Sequence, residues 1–351
     1  MTHLFRRSLP WTALLAAPLL IGASPTPAQP NPAPPPAIAP PTASDAATAV
    51  PELASEIIPF IQPFDLDATR RMSVQVTIGG AGPFAFLVDT GAERTVIARE
   101  LAARLGLAEG TKLRMATIGG SATVPSFRVA ALQMSNLQLA AVEAPAFHGR
   151  HIGAAGLIGV DMLEERRVLI DFRKETMQVL ETRRRAPSLI KDDDAIVVTA
   201  RNSAGRLILS DARLHGKRID VIVDTGAQTS VGNMALQKMV ADRRANRLPF
   251  VATELSAVSG EAVPAIRTAI KRIVINGIDV NDLNVSFADS QAFRALGLHE
   301  RPALLLGMDA LSLFDRIEID FPNKRVVFDL PDAAHRAIGL RFAANGAADG
   351  G

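Results

Sequence analysis

The chain has 351 residues, of which 48% are apolar, and it contains no cysteine and one tryptophan. This length and apolar content suffice for one or two substantial cores, and the lack of cysteine excludes disulfides and thiol catalysis. The formal net charge is +2 and falls to 0 without residues 1–28, which hold Arg6 and Arg7 and no acidic residue. The tight basic run Arg183–Arg185 fits a solvated segment, because nucleic-acid binding needs a broader basic surface. No nucleic-acid partner is expected.

Residues 1–28 have the pattern of an export signal. Arg6 and Arg7 precede an apolar run of 13 residues, 11–23, which is too short for a typical membrane span, and small residues follow around Thr26. We therefore predict a signal peptide over 1–28 and export to the periplasm or the medium. The alternative is an uncleaved anchor, and membrane contact is expected only in that case.

Residues 29–54 are rich in proline and alanine and contain Pro34–Pro36. Such a composition cannot bury a core and is typical of an extended tether or a propiece. The sequence does not distinguish between these two roles.

The tetrapeptide Asp-Thr-Gly-Ala occurs twice, at 89–92 and at 224–227, each time after an apolar, β-branched run. Each copy is preceded by a strand pattern and followed by a short helical segment, a glycine-containing hairpin, an apolar-apolar-Gly block and a closing hairpin. The repeat predicts two homologous, mostly β lobes. The predicted division of the chain is an N-terminal lobe at 55–184, a connector at 185–194, a C-terminal lobe at 195–335 and a tail at 336–351.

The helical segments are expected over 98–107 and from 234 to about 246. A second repeated aspartate pair, Asp161 and Asp309, follows the apolar-apolar-Gly block of each lobe. Glu164 lies three residues after Asp161, which is a capping-box pattern, so we predict that both aspartates are helix N-caps without a catalytic role.

The hairpin segments 117–125 and 258–264 recur at equivalent places in the two halves. Glycines at their tips permit positive φ and a close approach to a ligand, but an ordinary turn explains them equally well. His148 and His151 are spaced like a metal pair, yet no third ligand accompanies them, so no metal and no other cofactor is expected.

A carboxylate that occurs twice in equivalent settings suggests one site built from two halves. Two adjacent carboxylates cannot both ionise cheaply, so the pair holds an acid and a base at the same time. A water molecule between them can then be activated to hydrolyse an amide without a metal.

The doubled motif and the downstream blocks Leu157–Gly159 and Leu305–Gly307 resemble those of the aspartic peptidases. The two lobes in one chain resemble the pepsin architecture, while the short lobes and the alanine after glycine are more similar to the retroviral branch and its exported bacterial relatives. The resemblance implies a bilobal acid-protease fold of two retropepsin-like β-barrel lobes with short helices. It also implies an aspartic endopeptidase that takes an extended peptide and works as a monomeric internal pseudo-dimer.

The resemblance also implies the roles of the site residues. Asp89 and Asp224 would form the catalytic dyad, with support from Thr90, Gly91, Thr225 and Gly226. The flaps over the cleft would contain Ile118, Gly119, Gly120, Ser259 and Gly260.

Two departures from the family pattern matter. Ala92 and Ala227 cannot donate the hydrogen bond that a serine in their place would give to the carboxylate, so we expect a dyad that works at milder pH. The chain also has no tyrosine for a pepsin-like flap, so its flaps must act through glycine-rich backbone. Two alternatives stay open at this point: a peptide-binding protein that has lost turnover, and a dimer that exchanges lobes between chains.

Overall fold

The computed structural model describes residues 61–66, 71–134, 137–139, 141–192, 195–203, 205–242, 248–331 and 340–342. The predicted signal peptide and the proline-rich segment lie outside the described residues, as does most of the tail. Within the described part of the chain, no helix has the length and apolar character needed to cross a membrane. All described residues belong to one compact unit, Ile57–Gly351.

The N-terminal lobe is built mainly of short strands. Strand β3 shows how the sequence forms them, because Val74 and Val76 face the core while Gln75 between them is exposed. The strands and helices of this lobe are β1 Ile61–Pro63, β2 Asp65–Leu66, β3 Met72–Ile78, β4 Ala81–Val88, β5 Val96–Ala98, α1 Arg99–Arg104, β6 Leu113–Ala116, β7 Ser121–Val124, β8 Ser126–Val129, β9 Leu132–Met134, β10 Leu137–Leu139, β11 Val142–Phe147, α2 Gly149–Ile152, β12 Gly156–Ile158, α3 Val160–Leu163, β13 Arg166–Asp171 and β14 Thr176–Glu181.

The C-terminal lobe repeats this plan with longer strands in its hairpins. Its elements are β15 Ile196–Ser203, β16 Arg206–Leu214, β17 Lys217–Val223, β18 Val231–Gly232, α4 Met234–Ala241, β19 Val251–Ser256, β20 Ala262–Ile275, β21 Ile278–Phe287, α5 Gln291–Ala295, β22 Ala303–Leu306, α6 Met308–Leu311, β23 Arg316–Asp320, β24 Arg325–Asp329 and β25 Leu340–Phe342. The prediction of a mostly β, bilobal, retropepsin-like fold with short helices is confirmed.

Both predicted helical segments form helices, and α1 is shorter than expected. Helix α1 ends because Gly106 adopts a left-handed conformation, φ +61°, and Leu107 N donates to Ala102 O at 3.1 Å. Helix α4 begins at Asn233, whose side chain accepts a hydrogen bond from Leu236 N at 2.8 Å. Its predicted extension over 243–246 lies outside the described residues.

One sheet joins the two lobes. Strands β1, β14 and β13 of the N-terminal lobe continue into β23, β24 and β15 of the C-terminal lobe. At its centre β13 and β23 run antiparallel, with Val168 opposite Ile319 and Ile170 opposite Ile317. All four side chains are buried, so burial of apolar surface holds the lobes together here.

A buried ionic cluster lies beside this apolar centre. It contains Arg167, Glu318, Asp320 and Arg325, and both carboxylates are fully buried. Arg167 Nη2 donates to Asp320 Oδ2 at 2.7 Å, and Arg325 Nη2 donates to the same oxygen at 2.8 Å. Two cations therefore neutralise two carboxylates, because carboxylates buried away from water need paired positive charges.

The predicted connector rests on this cluster. Arg183–Arg185 are exposed, as a solvated run should be. The residues that follow are anchored, because Ser188 Oγ and Leu189 N both donate to Glu318 Oε2, at 2.9 and 2.6 Å. Ile190 is buried close by.

Candidate active site

The aspartate of each Asp-Thr-Gly-Ala motif follows the end of a buried strand. Strand β4 ends at Val88 and pairs in parallel with β12, while β17 ends at Val223 and pairs in parallel with β22. Asp89 N then donates to Ile158 O at 2.9 Å, and Asp224 N donates to Leu306 O at 3.0 Å. The apolar-apolar-Gly block of each lobe thus fixes the backbone that presents each carboxylate.

The two threonines of the motifs bind each other's lobe. Thr90 Oγ1 donates to Val223 O at 2.9 Å, and Thr225 Oγ1 donates to Val88 O at 2.7 Å. Each hydroxyl also accepts the other threonine's backbone N–H, at 3.1 and 3.2 Å. Both threonines are buried, so these bonds form without competition from water and fix the separation of the two strand ends.

Backbone amides hold each carboxylate from its own lobe. Gly91 N and Ala92 N donate to Asp89 Oδ1 at 2.9 and 2.8 Å. The equivalent amides of the second motif donate to Asp224 Oδ1 at 3.0 and 3.1 Å. The alanine that replaces serine therefore still supports its aspartate, through its N–H.

The glycines of the motifs let the two carboxylates face each other. A Cβ placed on Gly91 would lie 2.5 Å from Cγ of Asp224, and one placed on Gly226 would overlap the carboxyl group of Asp89. No side chain fits at either position, so both sites require glycine. Each carboxylate consequently packs directly on the backbone of the opposite motif.

Burial raises the pKa of both aspartates. The neighbouring charge of Asp89 raises the pKa of Asp224 further, to about 8. The positive charge of Arg206 and the two amide hydrogen bonds act in the opposite direction on each carboxyl. The pair therefore retains one proton up to mildly basic pH.

The second aspartate pair does not cap helices, and that prediction is wrong. The N-caps of α3 and α6 are Gly159 and Gly307, with no capping bond from a side chain. Asp161 instead accepts hydrogen bonds from Thr95 N at 2.9 Å and Thr95 Oγ1 at 2.7 Å. The local pattern fits a cap, but these donors lie 66 residues away along the chain.

Asp309 makes the equivalent contacts in the C-terminal lobe. Ser230 N and Ser230 Oγ donate to its carboxylate at 3.1 and 2.7 Å. The bonded hydroxyl residue stands six positions after the catalytic-motif aspartate in each lobe. This pair therefore fixes the loop that follows each motif and has a supporting role.

The two glycine-containing hairpins meet at their tips. Thr117 Oγ1 and Ser259 Oγ lie 3.4 Å apart, and Ile118 packs on a cluster that contains Ala257. A Cβ on Gly119 would lie 2.5 Å from Glu261 Oε2, so the tips are in contact. The hairpins of both lobes thus form one continuous surface.

The tip of the C-terminal hairpin also touches the N-terminal lobe. Gly260, with φ +90°, lies directly against the imidazole ring of His151 in α2. The left-handed conformation and this close approach both favour glycine. Gly120 of the other hairpin also has positive φ, +154°.

His148 and His151 are engaged in other contacts. His148 Nδ1 lies 2.9 Å from Glu100 Oε1, and Arg150 Nε donates to His151 Nε2 at 3.1 Å. Among the described residues, no group of three or more histidine and acidic side chains is arranged to hold a metal ion.

Sequence reasoning missed Arg206. Its Nε donates to Gly91 O at 2.5 Å, from the opposite lobe. A signal was present, because Arg206 stands 18 residues before Asp224, and Arg71 stands 18 residues before Asp89. Comparison of the two repeats at the start of the equivalent strands β3 and β16 would have found this pair.

The fold and the site together define an aspartic peptidase. Residues 74–165 match the family described as "gag-polyprotein putative aspartyl protease", and residues 210–310 match the family described as "Aspartyl protease". No curated protein matches the chain. The chain carries two aspartyl protease domains in tandem and belongs to the retropepsin-like aspartic peptidases.

Proposed function

We propose that this chain hydrolyses peptide bonds as an aspartic endopeptidase, with Asp89 and Asp224 as its catalytic dyad. The observation that carries the proposal is the pair of carboxyl groups that face each other across Gly91 and Gly226. The threonine bonds fix the spacing of the pair, and burial keeps one proton on it. This combination supplies an acid and a base at one point.

In the proposed reaction a water molecule lies between the carboxyl groups. Ionised Asp89 removes a proton from the water as its oxygen attacks the peptide carbonyl carbon, while Asp224 gives its proton to the carbonyl oxygen. The resulting gem-diol collapses as Asp224 regains a proton from a hydroxyl group and Asp89 passes its proton to the amide nitrogen. The C–N bond breaks, and the dyad returns to its starting protonation.

The substrate is proposed to be an extended peptide. The hairpins β6–β7 and β19–β20 meet at their tips, and in this proposal they lie over the dyad and offer strand backbone to a peptide beneath them. An extended peptide can hydrogen-bond to such backbone, while pockets select its side chains. Both aspartates and both threonines of the motifs are present, so no residue of the site favours the alternative of a peptide-binding protein that has lost catalysis.

Export of the chain and a monomeric state are parts of the same proposal. The signal pattern of residues 1–28 supports export. The contacts of Ser188 and Leu189 with Glu318 support a monomer, since they tie the connector to the sheet of its own chain. Ultracentrifugation of the mature protein and N-terminal sequencing of secreted material test these two points.

Digestion of a diverse peptide library from about pH 3 to about pH 8 tests the enzymatic proposal. We expect cleavage by the wild type, with a decline as Asp224 loses its proton near pH 8, and none by Asp89→Asn or Asp224→Asn. Asp211→Asn, at an exposed position of β16, is the matched control and should cleave normally. Full activity in either dyad variant would refute the assignment.

A further inference from the structure

Arg206 places a positive charge from the C-terminal lobe beside the catalytic loop of the N-terminal lobe. It is the first residue of β16 and is half-buried. Its Nε donates to Gly91 O at 2.5 Å, and Gly91 is the residue whose backbone contacts Asp224. One guanidinium thus bonds to the carbonyl group of the residue that packs against the Asp224 carboxyl group.

The turn before Arg206 is docked on the N-terminal lobe, which fixes the position of the arginine. Gly205 has φ +79°, and a Cβ on it would lie 2.7 Å from Cγ1 of Val160 in α3. Gly205 N donates to Asn202 Oδ1 at 3.0 Å, which closes the turn. Packing and hydrogen bonding therefore position the backbone of Arg206 independently of its charge.

The charged groups of the N-terminal lobe that face this turn are Glu93 and Arg94 of the motif loop, Asp161 of α3 and Glu164, which directly follows α3. They line one cavity together with Gly205. The charge of Arg94 acts on Asp161 and lowers the pKa of that carboxyl against the effect of burial. From the C-terminal lobe, the positive charge of Arg206 acts on both carboxyl groups of the dyad.

We propose that Arg206 is a positioning residue of the dyad: it joins the Gly91 loop to the opposite lobe and supplies the positive charge that keeps one of the two carboxyl groups ionised. The proposal rests on the proposed function and adds a residue to it. Its physical basis is the partial neutralisation of two buried carboxyl groups, one of which must remain charged to act as a base. The pKa of both Asp89 and Asp224 is lowered by this cation.

Two variants separate the charge of Arg206 from its packing. Arg206→Met keeps an unbranched apolar stem and removes the charge, whereas Arg206→Lys keeps the charge. Arg213→Met is the matched control, because Arg213 is an exposed arginine on the same strand. Thermal unfolding of each variant shows whether the fold is retained.

The measurements are the pH profile of kcat/KM on a cleaved peptide and a ¹³C NMR titration of aspartate carboxyl groups, with the dyad signals assigned through Asp89→Asn and Asp224→Asn. We expect Arg206→Met to move both limbs of the profile and both dyad titrations to higher pH by about 1 pH unit. Arg206→Lys should restore most of this shift, and Arg213→Met should change neither readout. Unchanged dyad titrations in Arg206→Met would overturn the proposal.

The NMR titration separates this proposal from the proposed function, because it requires no turnover. If the wild type cleaves no peptide but Arg206→Met still moves the titrations, the endopeptidase assignment fails and the role of Arg206 stands. If the wild type cleaves peptides and Arg206→Met leaves the dyad titrations unchanged, the endopeptidase assignment stands and the role of Arg206 fails. Should Arg206→Met fail to fold, a dyad in Arg206→Lys that titrates as in the wild type supports the role of the charge, and one shifted to higher pH contradicts it.

Discussion

Thr90 and Thr225 each donate a hydroxyl hydrogen bond to a carbonyl group that belongs to the other threonine's lobe, at 2.9 and 2.7 Å. The bonded carbonyls are those of Val223 and Val88, the residues directly before the dyad aspartates. The relative position of the two carboxyl groups is therefore set by two buried hydrogen bonds between the lobes.

Replacement of Thr225 by valine should weaken both activity and stability. The change leaves Val88 O and Thr90 N without their partner in a buried place, and we expect a loss of about 2 kcal/mol in the free energy of unfolding. We also expect kcat to fall by about 100-fold, because a small displacement of the dyad disrupts its geometry. Urea unfolding and steady-state kinetics measure the two effects. Thr225→Ser retains the hydroxyl and should retain most of both, and equal losses in the two variants would contradict this explanation.

The pKa of Asp224 predicts how stability depends on pH. In the unfolded chain this carboxyl has a pKa near 3.8, and in the folded protein burial and the charge of Asp89 raise it to about 8. As pH rises between these values, the unfolded state releases a proton that the folded state retains, so the free energy of unfolding falls. We expect a fall of at least about 1.4 kcal/mol that is reduced in Asp224→Asn. Urea unfolding at a series of pH values measures this fall. If the free energy of unfolding of the wild type, but not of Asp224→Asn, rose with pH between these two pKa values, the raised pKa of Asp224 would be contradicted.

Contact between the hairpin tips can be tested by a double-mutant cycle. In Gly119→Ala the added Cβ would meet the end of the exposed Glu261 side chain, so closure of the hairpins should be hindered mildly and kcat/KM should fall by about twofold. Glu261→Ala in the same chain removes the obstacle and should restore most of the loss.

Glu254→Ala is the matched control for this cycle. Glu254 is an exposed glutamate on β19 of the same hairpin, and its removal should not rescue Gly119→Ala. Strictly additive effects of Gly119→Ala and Glu261→Ala would show that the tips do not meet in the working enzyme.

The buried ionic cluster should contribute far more to stability than an exposed ion pair between the same lobes. Arg167→Met leaves Asp320 and Glu318 with one cation instead of two, and we expect a loss of about 4 kcal/mol in the free energy of unfolding. Arg173 pairs with Asp315 at 3.0 Å in an exposed position, so Arg173→Met should cost less than about 1 kcal/mol. Urea unfolding compares the two variants, and similar losses would rule out the dominance of the buried cluster.

Much of the fold and the dyad could be predicted because the sequence presents them twice. The paired motifs around Asp89 and Asp224 are local patterns, and their repetition made them visible without any knowledge of long-range contacts. Asp161 shows the limit of local patterns, since its partner Thr95 is distant in sequence although it lies within hydrogen-bond distance in the folded lobe. The position of Arg206 beside Gly91 depends on the docking of one lobe against the other, which no local pattern encodes.

The contacts that anchor the connector to Glu318 could not be predicted from the sequence, for a related reason. Glu318 lies at a strand position that is occupied by the apolar residue Leu169 in the other repeat. Its partners come from the connector and from a neighbouring strand, so only the register of the assembled sheet shows why a carboxylate is tolerated there.

This register also decides which halves can associate. Leu169 and Glu318 lie opposite each other at the midpoint of the β13–β23 pair. If two C-terminal lobes met in the same register, two buried glutamates would oppose each other, and the repulsion and desolvation of like charges would disfavour that pairing. Two N-terminal lobes would bring together two leucines, and each Arg167 would face an Asp171 but lack the second carboxylate that Glu318 supplies. The glutamate thus makes the C-terminal half a better partner for the N-terminal half than for a copy of itself.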